Sequence, residues 1–353
     1  MSFIIRAIDV GYGNTKYVTN VDGDKIDCGH FPSQTFYSAS EPVQNGLGGA
    51  RKTIAVPING NYYEVGPDVE LAAHWLRSRQ RHDGYTETEE YRAFMAGALH
   101  FMKAEVVDLL VLGLPVAHYM TKRQQLAKSM TGTFELGKKR QVEVKRVVVV
   151  AQPQGALMHY ASSTGRLAEV MQAKSLIIDV GSRTFDWLVT RGTQVVPRMS
   201  HSVNRGVSDV LRAIADAISA EIGEEYNDLE GIDLALRTGK SPKIFQKPYD
   251  IKKFDKTVQI IADQAMNYMC ERLENSYAFE HIVLVGGGAF LFRKAIKRRF
   301  SKLTIQEVKD PLYANVRGFQ IFGEKYAQER LVGTEQAKTT AALENTEAAA
   351  VPK

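Results

Sequence analysis

The tetrapeptide Ile8-Asp9-Val10-Gly11 recurs as Ile178-Asp179-Val180-Gly181, 170 residues further along a chain of 353. Each time a β-rich run ends in the acid and a turn of small or polar residues follows ("GYGNT", "GSRT"). A second β-like run then leaves the turn ("KYVTNV", "FDWLVT"). The pattern is strand, tight turn, strand. A dinucleotide-binding fingerprint would need a helix after the turn and a third glycine where Lys16 stands, and the chain has no Walker A motif. Taken singly, each copy is only a turn. As a pair they define something more specific. A hairpin tip of this kind aims several backbone N–H groups into one concavity that suits phosphate oxygens. An Asp at the strand end just before the tip is placed to hold Mg²⁺ through waters. Two such hairpins, one in each half, form a clasp for a triphosphate.

A third element supports this reading. "HIVLVGGGAFLF" puts Gly286, Gly287 and Gly288 between a buried strand and a helix. Glycine costs about 1 kcal/mol in a helix interior and also weakens a strand, so propensity does not explain the run. A backbone that approaches a ligand closely at a helix N-terminus does.

The rest of the chain alternates strand-like and helix-like stretches, as an α/β protein does. "TIAVPI" and "YYEVG" flank Asn59-Gly60-Asn61, a hairpin signal. "ETEEYRAFMAGALHFMKAE" predicts a helix and "VVDLLVLGLP" a buried strand. "VEVKRVVVVAQ" predicts one strand running into the helix "GALMHYASS". Val207, Val210, Leu211, Ile214 and Ile218 recur at helical spacing, as do Val258, Ile261, Ala265, Met266, Met269 and Leu273. After about Arg330 large apolar residues become scarce, which predicts a disordered tail over 331–353. Two cysteines, Cys28 and Cys270, are too few for a disulfide framework and fit a reducing cytoplasm. No apolar run is long enough for a bilayer, and "MSFIIRAIDV" has no signal-peptide core, so no membrane partner is expected.

With these motifs in hand, the sequence resembles the actin-like ATPases, which include actin, the Hsp70 chaperones, MreB and the plasmid-segregation actins. "IDVGYGNTK" is similar to the first phosphate loop and "VVVVAQPQGAL" to the first connecting segment. "IIDVGSRTFD" resembles the second phosphate loop, "IVLVGGGAFLF" the adenosine loop and "PLYANVRGFQIFG" the second connecting segment. They occur in the family's order from Ile5 to about Gly323. The ParM/StbA plasmid actins are the nearest likeness, and "QPQGAL" and "GSRTFDWL" also resemble protein D of the PRTRC gene clusters.

The resemblance implies an actin-like fold: two related domains, each on a mixed β-sheet, with a nucleotide cleft between them. Domain I would take 1–163 and 314–330, domain II 164–313, with hinges near Gln152 and Asn315. It implies ATP or ADP and Mg²⁺ as cofactors, with GTP in place of ATP left open. Asp9 and Asp179 would order the metal largely through waters. Gly11, Tyr12, Gly13, Asn14 and Lys16 would form the first phosphate site, and Gly181, Ser182, Arg183 and Thr184 the second. Gly206, Arg237, Gly286, Gly287, Gly288 and Phe290 would hold the adenosine. Gln152, or its rival Gln154, would position the attacking water, because an amide is no strong base. Asp186, seven residues after Asp179 as Lys16 is after Asp9, lies either beneath the site or at a sheet edge. The departures are Ser182-Arg183, where relatives often carry smaller residues; Arg183 points either to phosphate or outward.

Function follows from the same likeness: a cytoplasmic ATPase that polymerises with itself into nucleotide-dependent filaments and moves plasmid DNA through a DNA-binding adaptor. The basic run "RKAIKRRFSK" shares its helix with the apolar stripe Leu291, Phe292, Ala295, Ile296 and Phe300, so it reads as a solvated face rather than a DNA groove. A small-molecule kinase, which would need a substrate base not found in the sequence, and a non-filamentous scaffold remain alternatives. The short alanine-rich tail cannot serve as a chaperone's peptide-binding region.

Overall fold

A computed structural model describes residues 3–41, 51–72, 84–137, 140–274 and 278–329. The tail expected to be disordered lies outside them. The first half supplies β1 (Ile5–Val10), β2 (Asn14–Asp22), β3 (Lys25–Pro32), α1 (Glu89–Met102), β4 (Leu109–Leu114), α2 (Val116–Ser129), β5 (Val147–Ala151) and α3 (Gln152–Ser163). The second supplies β6 (Lys174–Val180), β7 (Phe185–Arg191), β8 (His201–Val203), α4 (Val207–Ile222), α5 (Leu229–Thr238) and α6 (Asp255–Arg272). It continues with β9 (His281–Val285), α7 (Ala289–Arg299), β10 (Ile305–Glu307) and a last helix, α8, over 314–329.

The two main sheets repeat one plan. The first has the order β5-β4-β1-β2-β3, with β1, β4 and β5 parallel and the β1–β2–β3 meander antiparallel. The second runs β10-β9-β6-β7, again with three parallel strands, and β8 pairs antiparallel on β7 beyond them. The parallel strands inside the sheets, Leu109–Leu114 and His281–Val285, are buried on both faces, and their sequences are accordingly apolar almost throughout. Their C-terminal ends all point to one cleft, the usual ligand side of such sheets.

Helix α1 begins where Thr88 caps it, its hydroxyl accepting from the Tyr91 N–H, and ends at Lys103 in the left-handed region. It packs Phe94, Met95 and Leu99 on the first sheet with Ile8, Leu110 and Leu112. Around the second sheet Phe185, Trp187 and Phe292 join Val210, Ile214, Met266 and Met269 in a separate core. Helix α8 returns to the first sheet, burying Val316, Phe319 and Ala327 against Ala7, Val18 and Val111. It crosses α3 so closely that a Cβ on Gly318 would lie 1.7 Å from the Gly155 carbonyl oxygen. Only glycine fits there.

Two expectations are corrected. "VEVKRVVVVAQ" is two strands in two sheets, Gln141–Val144 and β5, because Lys145 and Arg146 are exposed and Lys145 Nζ pairs with Asp108 at 2.9 Å. The helix expected from Gly155 begins at Gln152, with Pro153 in its first turn, where a missing N–H costs nothing.

Candidate functional site

Both hairpins form, and they are built alike. Asp9 opposes Lys16 across β1 and β2, and Asp179 opposes Asp186 across β6 and β7. The turns close with the same bond: Gly11 N–H to the Asn14 carbonyl at 3.1 Å, and Gly181 N–H to the Thr184 carbonyl at 2.9 Å. Between them lies a cavity of about 230 Å³ that adjoins a second of about 530 Å³.

Asp9 is fully buried. Lys16 Nζ donates to its Oδ2 at 2.8 Å and Gln152 Nε2 to its Oδ1 at 2.7 Å. Burial pulls the Lys16 ammonium down, but the charge and hydrogen bond of Asp9, aided by Asp179, outweigh it and leave it raised. On the facing hairpin Asn315 Nδ2 donates to Asp179 Oδ2 at 2.7 Å. Burial, and then the charge of Asp186, push the Asp179 carboxyl up to about 7. Asp186 is itself raised by burial. Its Oδ1 accepts from the Val116 N–H at 3.0 Å and from the Ser202 hydroxyl. A carboxylate of the second half therefore caps a helix of the first. Of the two sequence readings for Asp186, burial beneath the cleft is the one found.

Gly11, Tyr12, Gly13, Asn14, Gly181, Ser182, Arg183 and Thr184 all line the cavity. So do Arg237, Gly286, Gly287 and Gly288. Gly286 adopts φ +89°, and a Cβ there would sit 2.3 Å from Asp179 Oδ1, so glycine lets the third loop touch the second acid. Arg237 donates to Asp233 at 2.7 Å and to the Gly287 carbonyl at 3.0 Å, and its guanidinium lies 5.0 Å over Phe290. Phe290 belongs to the adjoining cavity.

Two residues fall outside this constellation. Gln154 is two residues past Gln152 on α3 and so faces another way; its Nε2 donates to the Thr193 carbonyl at 3.2 Å, away from the cavity. Gly206 caps α4 behind the second hairpin, its N–H on Asp209 Oδ2 at 2.9 Å. The first amides of α4, at Val207 and Ser208, are committed to the carbonyls of Gly181 and Ser182. Sequence reasoning missed the contact of Asn315 with Asp179, the helix-capping role of Asp186, and the lining residues Tyr85, Tyr91, His118, Asp233 and Leu312. The seven-residue echo of Lys16 and Asp186 was the one signal available for any of these.

Three of the five basic residues of α7 are paired with acids: Arg293 with Glu307 at 2.5 Å, Lys297 with Glu307 at 3.4 Å, and Arg298 with Asp263. Among the described residues no helix is long and apolar enough to cross a membrane.

Twin sheets facing each other over paired hairpins are the architecture of the actin fold. Two family models match successive parts of the chain: the N-terminal domain of actin-like proteins over residues 7–155, and the C-terminal domain of MreB-like archaeal actin homologues over 177–298. The chain belongs to the actin-like proteins. Its fold matches that of an archaeal actin homologue, 24% identical over 92% of this chain and all of the other, at a TM-score of 0.75. That homologue bound to ADP gives 0.73 at 22% identity, over 92% of this chain and all of the other. A 15-stranded ParM filament from Clostridium botulinum matches at 20% identity and a TM-score of 0.70, over 92% of this chain and all of the ParM chain. No curated protein sequence matches the chain.

Proposed function

We propose that this protein binds a nucleoside triphosphate with Mg²⁺ between its two hairpins, hydrolyses it, and assembles into filaments in the triphosphate state. The observation that carries the reading is the matched pair of buried acids, Asp9 and Asp179, held at facing hairpin tips by Gln152, Lys16 and Asn315. The ADP bound to the archaeal homologue and the ParM filament support it.

The acids fit the metal. Among the described residues no three His, Cys, Asp or Glu side chains gather into a cage. Mg²⁺ needs none, since it keeps several waters and takes one or two carboxylates together with phosphate oxygens. A cation beside Asp179 would offset the burial, and then the charge of Asp186, that hold this carboxyl up. When bound, the metal supplies charge for the phosphate oxygens. Lys16 adds a positive charge from the first hairpin. Gln152, its amide nitrogen on Asp9, offers its carbonyl oxygen to orient a water for in-line attack. Loss of the terminal phosphate removes the group that both hairpins grip and shifts the population toward an open form. A DNA-binding adaptor that links such filaments to plasmid DNA completes the proposal, in which domain I comprises 1–163 with 314–330 and domain II 164–313.

Pelleting with Mg-ATP, Mg-GTP, Mg-ADP and EDTA, with phosphate release followed in parallel, tests this. Polymer that needs Mg-triphosphate and vanishes in Asp179→Asn supports it. Phosphate release without polymer at any concentration overturns the filament and leaves an actin-fold hydrolase.

A further inference from the structure

The first turn of α1 sets Tyr91 against the cleft. Thr88 caps the helix by accepting the Tyr91 N–H at 3.2 Å. The ring packs with Ile8, Val10 and Phe94 in the first core and meets Tyr85 edge-on at 5.4 Å. Only 1% of the residue is exposed. Its hydroxyl is buried too, and it has no hydrogen-bond partner among the described residues. Packing alone does not call for that oxygen. Phenylalanine would fill the same space without the cost of burying a hydroxyl that bonds nothing. A buried polar atom of this kind marks a place where a partner is missing.

The surroundings say which partner. Tyr91 lines the cavity that holds both acids and does not line the adjoining one around Arg237 and Phe290. Its hydroxyl lies near enough to Asp9 to feel that carboxylate. Burial, and then the charge of Asp9, raise it above the ordinary tyrosine range, so it keeps its proton. It is a neutral donor at the acid end of the cleft. The neighbouring donors already serve the protein's own acceptors. Lys16 and Gln152 give to Asp9, and Asn315 gives to Asp179. The Val116 and Ala117 amides at the start of α2 give to Asp186 and to the Ser202 hydroxyl. A terminal phosphate between Asp9 and Asp179 brings charged oxygens, to which a phenol is a short and strong donor.

We propose that the Tyr91 hydroxyl donates to the terminal phosphate of a bound nucleoside triphosphate and is left without a partner when a diphosphate is bound. This rests on the nucleotide-hydrolase reading above and deepens it, adding a contact from a helix that carries neither phosphate hairpin.

The test uses Tyr91→Phe, which removes one oxygen and keeps the ring, in the full chain with Mg²⁺. Calorimetric titration with non-hydrolysable analogues of ATP and GTP, and with ADP and GDP, gives the affinities. A thermal melt without nucleotide gives the stability of the empty protein. The variant is expected to bind triphosphate about tenfold more weakly, the scale of one hydrogen bond to a charged group, and diphosphate within about twofold of wild type. Its nucleotide-free Tm is expected to stay the same or rise, because the lost oxygen had nothing to bond. A hydroxyl bonded inside the protein would instead give a falling Tm or an unchanged ratio of triphosphate to diphosphate affinity. Either result overturns the proposal while the hydrolase reading stands. A wild type that binds none of the four nucleotides overturns both.

Discussion

At the residue scale the local pattern carried most of what the sequence could say. Asp9 and Asp179 were legible because strand, acid and turn are neighbours in the chain. The bonds that Gln152 and Asn315 make to them were not, because they span 143 and 136 residues, although the family resemblance had already singled out Gln152. Where α3 starts sets the Gln152 amide on Asp9 and that of Gln154 on the Thr193 carbonyl. Gln152→Ala should therefore slow phosphate release by about 10²-fold or more, the usual scale for losing a group that handles the attacking water, while Gln154→Ala leaves it near wild type. Steady-state assays at saturating nucleotide separate the two. His159, also on α3, gives a pH dependence. Burial, and then the charge of Arg317, pull it down to about 4. Its folded value lies below the ordinary 6.5, so its contribution to stability is full above pH 6.5 and is lost as pH falls toward 4. The loss is at most about 3 kcal/mol. His159→Gln should flatten that limb in a series of urea titrations from pH 7 to pH 4.

Among the elements, the ones with strong periodicity or clear turn chemistry were predicted correctly, and the failures came where tertiary packing decided. The run from Val142 to Gln152 looks like one strand because valines recur along most of it; the break comes from two exposed basic residues that let the chain change sheets. Nothing local announces the crossing of α3 and α8 either. Gly318→Ala should destabilise the protein by about 3 kcal/mol or more, since neither backbone can yield to a methyl at that distance. Gly287→Ala makes the contrast: its nearest foreign atom is 3.9 Å away, so the fold should hold while nucleotide affinity falls. Denaturation and binding measured on both variants check the pair. A small hairpin, Lys243–Ile244 with Lys247–Pro248, shows the opposite economy. Phe245 and Gln246 at its tip both adopt left-handed backbone, φ 48° and 64°, with Phe245 exposed. Replacing them with Asn-Gly should raise stability by about 1 kcal/mol, visible as a higher Tm.

For the whole molecule, the echo that opened the sequence proved to be structural. Each half carries the same hairpin on the same sheet order, and the cleft lies where the parallel strands of both end. What no single stretch could reveal is how the halves are joined. The chain passes between them twice, into α3, whose Leu157 and Tyr160 pack with Ile177, Leu188 and Val283 of the second sheet, and back into α8 on the first, and those helices touch at Gly155 and Gly318. Joined side by side at two places, the halves are left one easy swing about the line through them. Labels at Leu71 and Leu234, both exposed and one on each half, should report a single distance that shortens with triphosphate and broadens without it. A distance that is the same with and without triphosphate would overturn this. Such a joint is also a lever. Motion is smallest at the glycine contact and grows with distance from it, so a shift too slight to notice at the hairpin tips becomes a large displacement at the outer edges, where a neighbouring molecule would meet it.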